Sequence, residues 1–212
     1  MSATKEELEA ATTVVKEAIA DAVASGTTAS NPKDMTSLIV NPGYDANQND
    51  GWSGTVPAFQ SFGNAEHFNK TFDTYQDIEN APKGVYALTL SAFYRSGNTD
   101  AAYENYKNNT GYNAKLYAKA GVDSLNANIM NSFQDARTEP TADGETSKTD
   151  GNNPYYVPNN MASVAAYFEL GLYKDNKLFF ATEDGNMRIG AKKVTGIGND
   201  WFVFDNWKLT YY

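Results

Sequence analysis

The sequence predicts an all-β protein: an antiparallel β-sandwich with jelly-roll connectivity, preceded by an N-terminal helix. Three observations support this fold class. Many short segments alternate apolar and polar residues, turn-forming residues separate them, and strands and helices do not alternate as a parallel sheet requires. With 212 residues, 41% of them hydrophobic and 13% aromatic, the chain has enough apolar side chains for one large β domain.

The first element is a predicted helix within residues 1–33. Leu8, Val15 and Ile19 recur at helical spacing, and the turn formers of residues 25–32 would end the helix. Its apolar stripe is thin and rich in alanine, which favours a helical linker over a helix packed on the sandwich. We therefore expect the β domain to occupy residues 34–212.

The predicted strands share a period of two in their apolar residues. They cover residues 36–40, 65–80, 85–95, 114–121, 177–193 and 201–212. Residues 85–95 are apolar on both faces, which predicts a central strand. Residues 177–193 contain Asp184–Gly185 between two apolar arms, which predicts a hairpin.

Other segments are predicted to be a helix, two loops and core positions. Met161, Val164 and Phe168 recur at helical spacing, whereas residues 99–113 and 131–153 are polar and predicted to be loops. Aromatic residues at strand spacing are expected in the core. They are Trp52, Phe72, Tyr86, Phe180, Trp207 and Tyr211.

Charge and composition exclude several classes of function. The net charge is -9, which argues against nucleic acid or an anionic membrane as a partner. No apolar run is long enough for membrane insertion, and the first residues lack the apolar segment of a signal peptide. We therefore expect a fragment of a longer protein. Zero cysteines exclude disulfides and thiolate chemistry.

A catalytic site is not indicated. The single histidine, His67, lies in a strand-like stretch and is expected to face solvent or a neighbouring residue; the sequence has neither a G-x-S-x-G nor an H-E-x-x-H motif. The carboxylates lie mostly in polar loops and no pair stands out. The residues favour a protein that is not an enzyme, with a cryptic glycoside hydrolase or lyase as a third interpretation.

Binding residues are indicated where tyrosines lie among amides. Sugar rings present flat faces of C–H groups, so a sugar site needs exposed aromatic rings flanked by hydrogen-bonding side chains. The candidate ligand-binding residues are Arg95, Tyr103, Tyr106, Tyr112, Tyr155, Tyr156 and Asn159. Anchoring of the loops is the alternative role for the tyrosines, and a structural pair with a loop carboxylate is the alternative for Arg95.

Asp205 lies among apolar residues of the last predicted strand. Strict alternation places Val203, Asp205 and Trp207 on one face, so Asp205 faces the core or the strand bulges there. A buried unpaired carboxylate costs several kcal/mol. We therefore expect Asp205 to meet a cation or hydrogen-bond donors.

Several segments, taken in order, resemble a galactose-binding-like domain of the large secreted or surface proteins of polysaccharide-degrading gut anaerobes. They are DMTSLIVNPGYD with the following GW, AEHFNKTFDTYQDIENAPKGVYALTLSAFYRSGN, LYA, YVPNNMASVAAYFELGLY, and DGNMRIGAKK with DWFVFDNWKLTYY. The chain is also similar, more loosely, to jelly-roll carbohydrate-binding modules. The resemblance covers residues 34–212 with gaps.

The resemblance implies a non-catalytic module that binds a polysaccharide or oligosaccharide, secreted or on the cell surface, with catalytic domains flanking it in a longer chain. It also implies a structural Ca²⁺ shared by Asp205 and Asp45, although the related modules carry Glu at the position of Asp45. The fold hosts other functions. The alternative is a structural or adhesive spacer with a protein partner.

Overall fold

The structure is a computed structural model and describes residues 31–212. The predicted N-terminal helix lies outside the described residues, and the boundary at residue 34 stays a prediction. Within residues 31–212 the chain forms two antiparallel β-sheets, a separate β-hairpin and two α-helices. No helix in this part of the chain is long and apolar enough to cross a membrane.

The strands are β1 Lys33–Asp34, β2 Ser53–Gly54, β3 Ala58–Phe59, β4 Ala65–Phe68, β5 Phe72–Ile78, β6 Gly84–Arg95, β7 Lys115–Ala120, β8 Asp123–Asn128, β9 Glu145–Asp150, β10 Asn153–Pro158, β11 Asn176–Thr182, β12 Met187–Lys193 and β13 Trp201–Tyr211. The helices are α1 Thr99–Asn108 and α2 Met161–Glu169, and two 3₁₀ turns cover Thr36–Leu38 and Asp45–Asn47.

Two sheets form the sandwich. The first sheet has the order β11-β6-β13-β4-β3, with β1 also paired to β13, and the second has the order β2-β5-β12-β7-β8. The chain passes between the sheets from β4 to β5, from β5 to β6 and from β6 to β7, and again between β11, β12 and β13. Strand neighbours are therefore mostly distant in sequence, as jelly-roll connectivity requires, and the predicted fold class is confirmed.

The main core lies between the two sheets. In β5 the burial alternates strictly, with Phe72, Thr74, Gln76 and Ile78 turned inward. The aromatic residues that the sequence predicted for the core are all buried there: Trp52, Phe72, Tyr86, Phe180, Trp207 and Tyr211. Period-two patterning thus predicted the inner faces of the long strands correctly.

A second apolar layer covers part of the outer face of the first sheet. Phe93 of β6 and Trp201 and Val203 of β13 pack against α2 and Tyr173. β6 is therefore buried on both faces and lies between β11 and β13, as its sequence predicted.

The predicted strand at residues 36–40 is wrong. Its first three residues form a 3₁₀ turn, because the Asp34 side chain accepts the backbone N–H of Thr36 at 2.8 Å and the carbonyl of Met35 accepts the N–H of Leu38 at 3.0 Å. These local bonds turn the chain before a ladder can form.

The predicted hairpin at residues 177–193 is also wrong. β11 pairs with β6 in the first sheet, whereas β12 pairs with β5 and β7 in the second. Each strand has one apolar face, and Phe180 and Ile189 belong to the same core cluster. The turn at Asp184–Gly185 therefore carries the chain across the sandwich, which buries both apolar faces.

The predicted loops contain regular structure. Residues 99–108 form α1, which Asn98 caps by accepting the N–H of Ala101 at 2.9 Å, and which buries Ala102 and Tyr103. Within residues 131–153 the chain begins the β9–β10 hairpin. These two segments contain too few apolar residues to show the period of a helix or a strand. The N-cap and the tertiary contacts therefore determine their structure.

β13 contains the bulge that the sequence offered as one explanation of Asp205. Its register against β6 shifts between Asp205 and Lys208, and Asn206 has a left-handed φ of 54°. Phe204 points inward before the bulge and Trp207 points inward after it. Strict alternation from Val203 to Trp207 is therefore wrong, and the bulge returns the apolar residues to the core.

Candidate functional site

The predicted tyrosines of the two polar stretches meet between α1 and the β9–β10 hairpin. The ring of Tyr103 lies 5.1 Å from that of Phe133 and 5.9 Å from that of Tyr155, and Tyr103 is only 7% exposed. Lys148 of the hairpin forms an ion pair with Asp100 of α1. These contacts describe an anchor that holds the helix on the hairpin, which is the alternative role expected for Tyr103.

Of the remaining predicted tyrosines, Tyr106 lies at the edge of this cluster, with its ring 6.5 Å from that of Tyr103 and 6.2 Å from that of Phe133, whereas Tyr112 and Tyr156 have other partners. Tyr106 is 36% exposed on α1, and the Tyr112 hydroxyl donates to Oδ1 of Asn109 at 2.6 Å. Tyr156 is held through its backbone, paired with Arg137. The structure does not bring these three rings into one concave site, and sugar contact by the tyrosines stays a prediction.

Arg95 and Asn159, in contrast, meet in one pocket. Phe68 of β4, Trp201 of β13 and Arg95 of β6 are Cα partners across the first sheet and lie on its outer face. The N-terminus of α2 closes one side through Asn159. The pocket has a volume of about 190 Å³ and is lined by Gln60, Glu66, Phe68, Arg95, Asn159, Asn160, Met161 and Trp201.

The polar groups of this pocket are held rigidly but keep free hydrogen-bonding capacity. Arg95 Nη1 donates to Oδ1 of Asn159 at 2.7 Å, and its guanidinium lies 5.1 Å from the centre of the Trp201 ring. Arg95 Nε is buried and has no partner in the described structure. Glu66 accepts from Gln60 Nε2 at 2.7 Å and from Trp201 Nε1. The pocket therefore places a cationic donor and a carboxylate acceptor side by side.

The electrostatics of Arg95 reflect its burial. It is 8% exposed, and burial lowers its pKa from the ordinary value, while the negative charge of Asp200 in the loop before β13 opposes that shift. The carboxylate pair that the sequence offered as an alternative is replaced at the guanidinium by the amide of Asn159.

A rim aromatic completes the pocket. Phe68 is 51% exposed, whereas Trp201 beneath it is buried. An open ring beside convergent polar groups is the combination that a sugar site needs.

Sequence reasoning missed Gln60, Glu66, Phe68 and Trp201. The signal was present in AEHF, where Glu66 and Phe68 share a face of β4, but nothing in the sequence places that face beside Arg95. Only the pairing of β4 and β6 with β13 does so.

Three buried polar side chains on the inner side of the sheet support the pocket. Asp200 and Lys193 form an ion pair in which each side chain is 1% exposed, and the Tyr94 hydroxyl donates to Oδ2 of Asp200 at 2.7 Å. Burial, together with the bond to Asp200, raises the pKa of Tyr94. These side chains fix the position at which β13 begins, immediately before Trp201.

The two predicted metal ligands also meet. A Cβ placed on Gly43 would lie 3.5 Å from Oδ1 of Asp45 and 3.7 Å from Oδ1 of Asp205, so both carboxylates approach this glycine. Burial raises the pKa of Asp205 to about 7; the N–H of Asn206 lowers it, and the charge of Asp45 raises it further.

The loop that contains Asp45 supplies further oxygen atoms of the kind that calcium binds. Asn47 Oδ1 is buried without a hydrogen-bond partner, and Asn41, Tyr44, Ala46 and Asn47 of the adjoining loop all have left-handed φ values. The described residues contain no cluster of three or more metal-binding side chains of the His, Cys, Asp and Glu types. Calcium accepts amide and backbone oxygens beside carboxylates, so the residues present fit this ion.

His67 has a structural position. It faces the core, not solvent, with its ring stacked 4.3 Å from that of Phe72 and 5.6 Å from that of Phe204, and Nε2 lies 2.8 Å from Oγ1 of Thr74. Burial lowers its pKa to about 3, helped by the charges of Lys70 and Lys193. The expectation that it contacts neighbouring residues is correct, and the ring is neutral at pH 7.

Comparison with known proteins gives structural similarities alone. No protein-family profile and no curated protein matches the sequence. A family 61 carbohydrate-binding module solved with β-1,4-galactotriose is 13% identical with a TM-score of 0.43, and covers 82% of this chain and 98% of its own. A family 16 carbohydrate-binding module is 15% identical with a TM-score of 0.41, and covers 81% and 98%. A protein from Bacteroides thetaiotaomicron, described as sugar-binding, is 14% identical with a TM-score of 0.26, and covers 89% and 91%.

Proposed function

We propose that this chain is a non-catalytic carbohydrate-binding module and that its site is the pocket of Phe68, Glu66, Arg95 and Asn159. The observation that carries the proposal is the exposed Phe68 ring beside the Arg95 guanidinium and the Glu66 carboxylate, which line one pocket. Arginine has five N–H donors, and Nη1 of Arg95 donates to Asn159. A ligand hydroxyl that accepts from the part of the guanidinium that lines the pocket would form a charge-assisted hydrogen bond.

The chemistry of the pocket matches one sugar ring. Phe68 offers an apolar face to the C–H groups of the ring, Arg95 donates to its hydroxyls, and Glu66 accepts from them. A volume of about 190 Å³ corresponds to roughly six water molecules at about 30 Å³ each. That space suits a single pyranose with the remainder of the chain in solvent.

We expect weak binding, with a Kd in the micromolar to millimolar range, or about 4 to 8 kcal/mol. The site is small and partly open, so few contacts are made. Weak single sites are effective on a polymer because several copies or attached domains act together.

Affinity electrophoresis against neutral plant, mucin and microbial polysaccharides tests the proposal. We expect retardation by at least one of them, and its loss in Phe68→Ala. Phe179→Ala is the matched control, because Phe179 is 52% exposed against 51% for Phe68 and lies at the other end of the same sheet. Equal loss in both variants, or no retardation of the wild type, would contradict the proposal.

The tyrosine cluster supports a different expectation for its variants. Tyr103→Ala is expected to loosen α1 from the hairpin, because the ring is buried against Phe133 and Tyr155. Tyr106 is more exposed, and Tyr106→Ala tests whether sugar contact extends to α1. Loss of retardation in Tyr106→Ala with an unchanged melting temperature would move the site toward the tyrosines.

A structural calcium ion is part of the proposal. Asp45 and Asp205 would supply carboxylate oxygens and Asn47 an amide oxygen, which the approach of both carboxylates to Gly43 and the unpartnered Asn47 Oδ1 support. The ion would neutralise two adjacent carboxylates and tie the loop after β1 to the bulge of β13.

We also propose the cellular context: a secreted or surface protein in which catalytic domains that process glycans flank this module. The resemblance noted in the sequence supports this. Sequencing the parent gene tests it, and a parent chain without an export signal would contradict it. A spacer or adhesive module is the competing function, favoured if no glycan is bound and a protein partner is.

A further inference from the structure

The outer face of the second sheet carries a group of four cations. Lys115 and Lys192 are Cα partners on the neighbouring strands β7 and β12, and Lys119 and Arg188 are partners four residues further along β7. Side chains four apart on a strand share a face. These four residues, which we name the cationic strip, therefore form two pairs separated by about 13 Å at ~3.3 Å per residue.

Three of the four cations are held in place by neighbours. The Arg188 guanidinium lies 3.7 Å from the centre of the Tyr75 ring and donates to both oxygens of Asp77 at 2.7 and 2.8 Å. Lys192 Nζ lies 4.5 Å from the centre of the Tyr117 ring, and Lys115 Nζ donates to Asn128. Ordered side chains lose less conformational entropy when a ligand binds.

Tyr117 fills the space above Gly190 between the cations and is itself only 4% exposed. A Cβ on Gly190 would lie 2.8 Å from Cε1 of Tyr117, so the Tyr117 ring lies across the glycine. Its hydroxyl reaches Oδ1 of Asp73 at 2.7 Å, on β5, which is two strands away from β7. The Tyr117 side chain therefore closes the surface between the two pairs of cations.

The strip stands out within an acidic protein whose net charge is -9. On one side β8 presents neutral partners of the strip, Asn128 to Lys115 and Ser124 to Lys119. The acidic groups lie on the other side and at the far end: Asp73, Asp77, Glu79 and Asp184. Arg188 is paired with Asp77, so the positive charge available to a ligand lies mainly on the three lysines along β7 and β12.

We infer that the cationic strip binds an extended acidic polysaccharide whose sugars carry carboxylates, a polyuronate. Each sugar of such a chain brings one carboxylate, and the strip offers preordered cations in two pairs along its length. Repulsion by the surrounding acidic surface would confine the polymer to the strip. The inference uses none of the residues of the Phe68 pocket and does not depend on the proposed neutral-sugar site.

Affinity electrophoresis with polygalacturonate tests the inference. We expect retardation of the wild type at about 20 mM salt, most of it lost at about 500 mM salt because charge interactions are then screened within a few ångströms. Fully methyl-esterified polygalacturonate, which has the same rings without the charge, should not retard the protein. The variant Lys115→Gln/Lys192→Gln should weaken the affinity for polygalacturonate at least about tenfold.

The matched control is Lys177→Gln/Lys208→Gln. Both lysines lie on strands of the first sheet, beside Thr89 of β6, and Lys177 Nζ also lies over an aromatic ring, that of Phe179. This variant changes the net charge equally and should change the affinity less than about twofold. Equal losses in the two double variants would show attraction by bulk charge and overturn the inference.

Three other results would overturn it as well: no retardation of the wild type, equal retardation by the methyl ester, or equal binding of single-stranded DNA. Phe68→Ala separates the two proposals, since it should leave the binding of polygalacturonate unchanged. If the protein binds polygalacturonate in this way but binds no neutral glycan, the inference about the cationic strip stands and the proposed sugar site at the Phe68 pocket is refuted.

Discussion

A buried carboxylate, Asp200, lies just before β13, and a half-buried one, Asp205, lies at its bulge; the protein treats them differently. Asp200, just before the strand, meets Lys193 and the hydroxyl of Tyr94. Asp205, at the bulge, meets the N–H of Asn206 and a second carboxylate, Asp45, and its pKa is raised to about 7. The first charge is neutralised inside the protein, whereas the second requires a cation from solution or a proton.

The same residue type thus gives a fixed structure at one place and a dependence on the medium at another. A carboxylate with an internal cation is stable in any buffer near neutral pH. The charge of a carboxylate that faces a like charge depends on the pH and on the cations in the buffer.

The largest effect should follow from breaking the internal pair. Lys193→Met leaves Asp200 charged and buried without a cation, and such a change costs about 3 to 5 kcal/mol of unfolding free energy. Urea unfolding measures the loss. The double variant Lys193→Met/Asp200→Leu should lose less than Lys193→Met alone, because the unpaired charge is gone; a larger loss in the double variant would contradict this explanation.

Calcium should change the stability only through Asp205, at the bulge of β13. If the ion binds the native state, a concentration about 100 times its Kd adds about 2.7 kcal/mol of unfolding free energy, and EDTA removes it. Asp205→Asn should abolish the difference. In EDTA the same variant should be at least as stable as the wild type, because it removes a charge that faces Asp45.

Lys193→Met provides the control for the calcium experiment. Its melting temperature is lower, but the increase with calcium should be kept, because Lys193 lies at the other end of the strand. An unchanged wild-type melting curve after chelation, with no ion in elemental analysis, would refute the metal site.

The pH dependence of stability should show His67, which packs near Lys193. Its folded pKa is about 3 against about 6.5 in the unfolded chain. Between pH 3 and pH 6.5 the unfolded state binds a proton that the folded state does not. The contribution of His67 to the unfolding free energy is therefore fully present above pH 6.5 and is lost as the pH is lowered toward 3. The slope approaches about 1.4 kcal/mol per pH unit.

Comparison of His67→Gln with the wild type between pH 4.5 and 7 isolates this effect, since His67 is the sole histidine. The part of the slope that His67 causes should be absent in the variant. An NMR titration that shows the imidazole protonating near pH 6 in the folded protein would contradict the burial argument.

The smallest effect is expected from the N-terminal segment. Deletion of residues 1–25 should change the melting temperature by no more than about 2 °C, a fraction of 1 kcal/mol for a domain of this size. Differential scanning calorimetry measures it. Aggregation of the shortened protein would show that the segment belongs to the core and that the predicted boundary at residue 34 is wrong.

The sequence predicted the sandwich because its long strands have a clear period of two. Phe72 and Ile78 in β5, and Tyr86 in β6, are buried as the alternation indicates. It failed for the partner of β12, because the turn at Asp184–Gly185 is compatible both with a hairpin and with a crossing between sheets. That choice depends on which apolar faces meet, which is a tertiary property.

The candidate site was predictable only in part. Arg95 and Asn159, which meet in this pocket, were predicted because polar residues at the ends of elements are often available for binding. Glu66 and Phe68 were missed because they lie in a strand that reads as ordinary core sequence. Their place beside Arg95 depends on β13 pairing with both β4 and β6, and sequence separations of more than a hundred residues carry no local signal.

The pairing of β1 with β13 has a mechanical consequence. Lys33 and Tyr211 are antiparallel Cα partners, so any chain that continues from either side leaves the sandwich at the same point. Two domains attached at these points would be separated by almost no additional distance, and this domain would lie to one side of the connection between them. Pulling on the two ends would open the β1–β13 pair like a zipper, one bond at a time, instead of shearing it. Because the bonds of this pair would break one after another, the geometry resists a pulling force poorly.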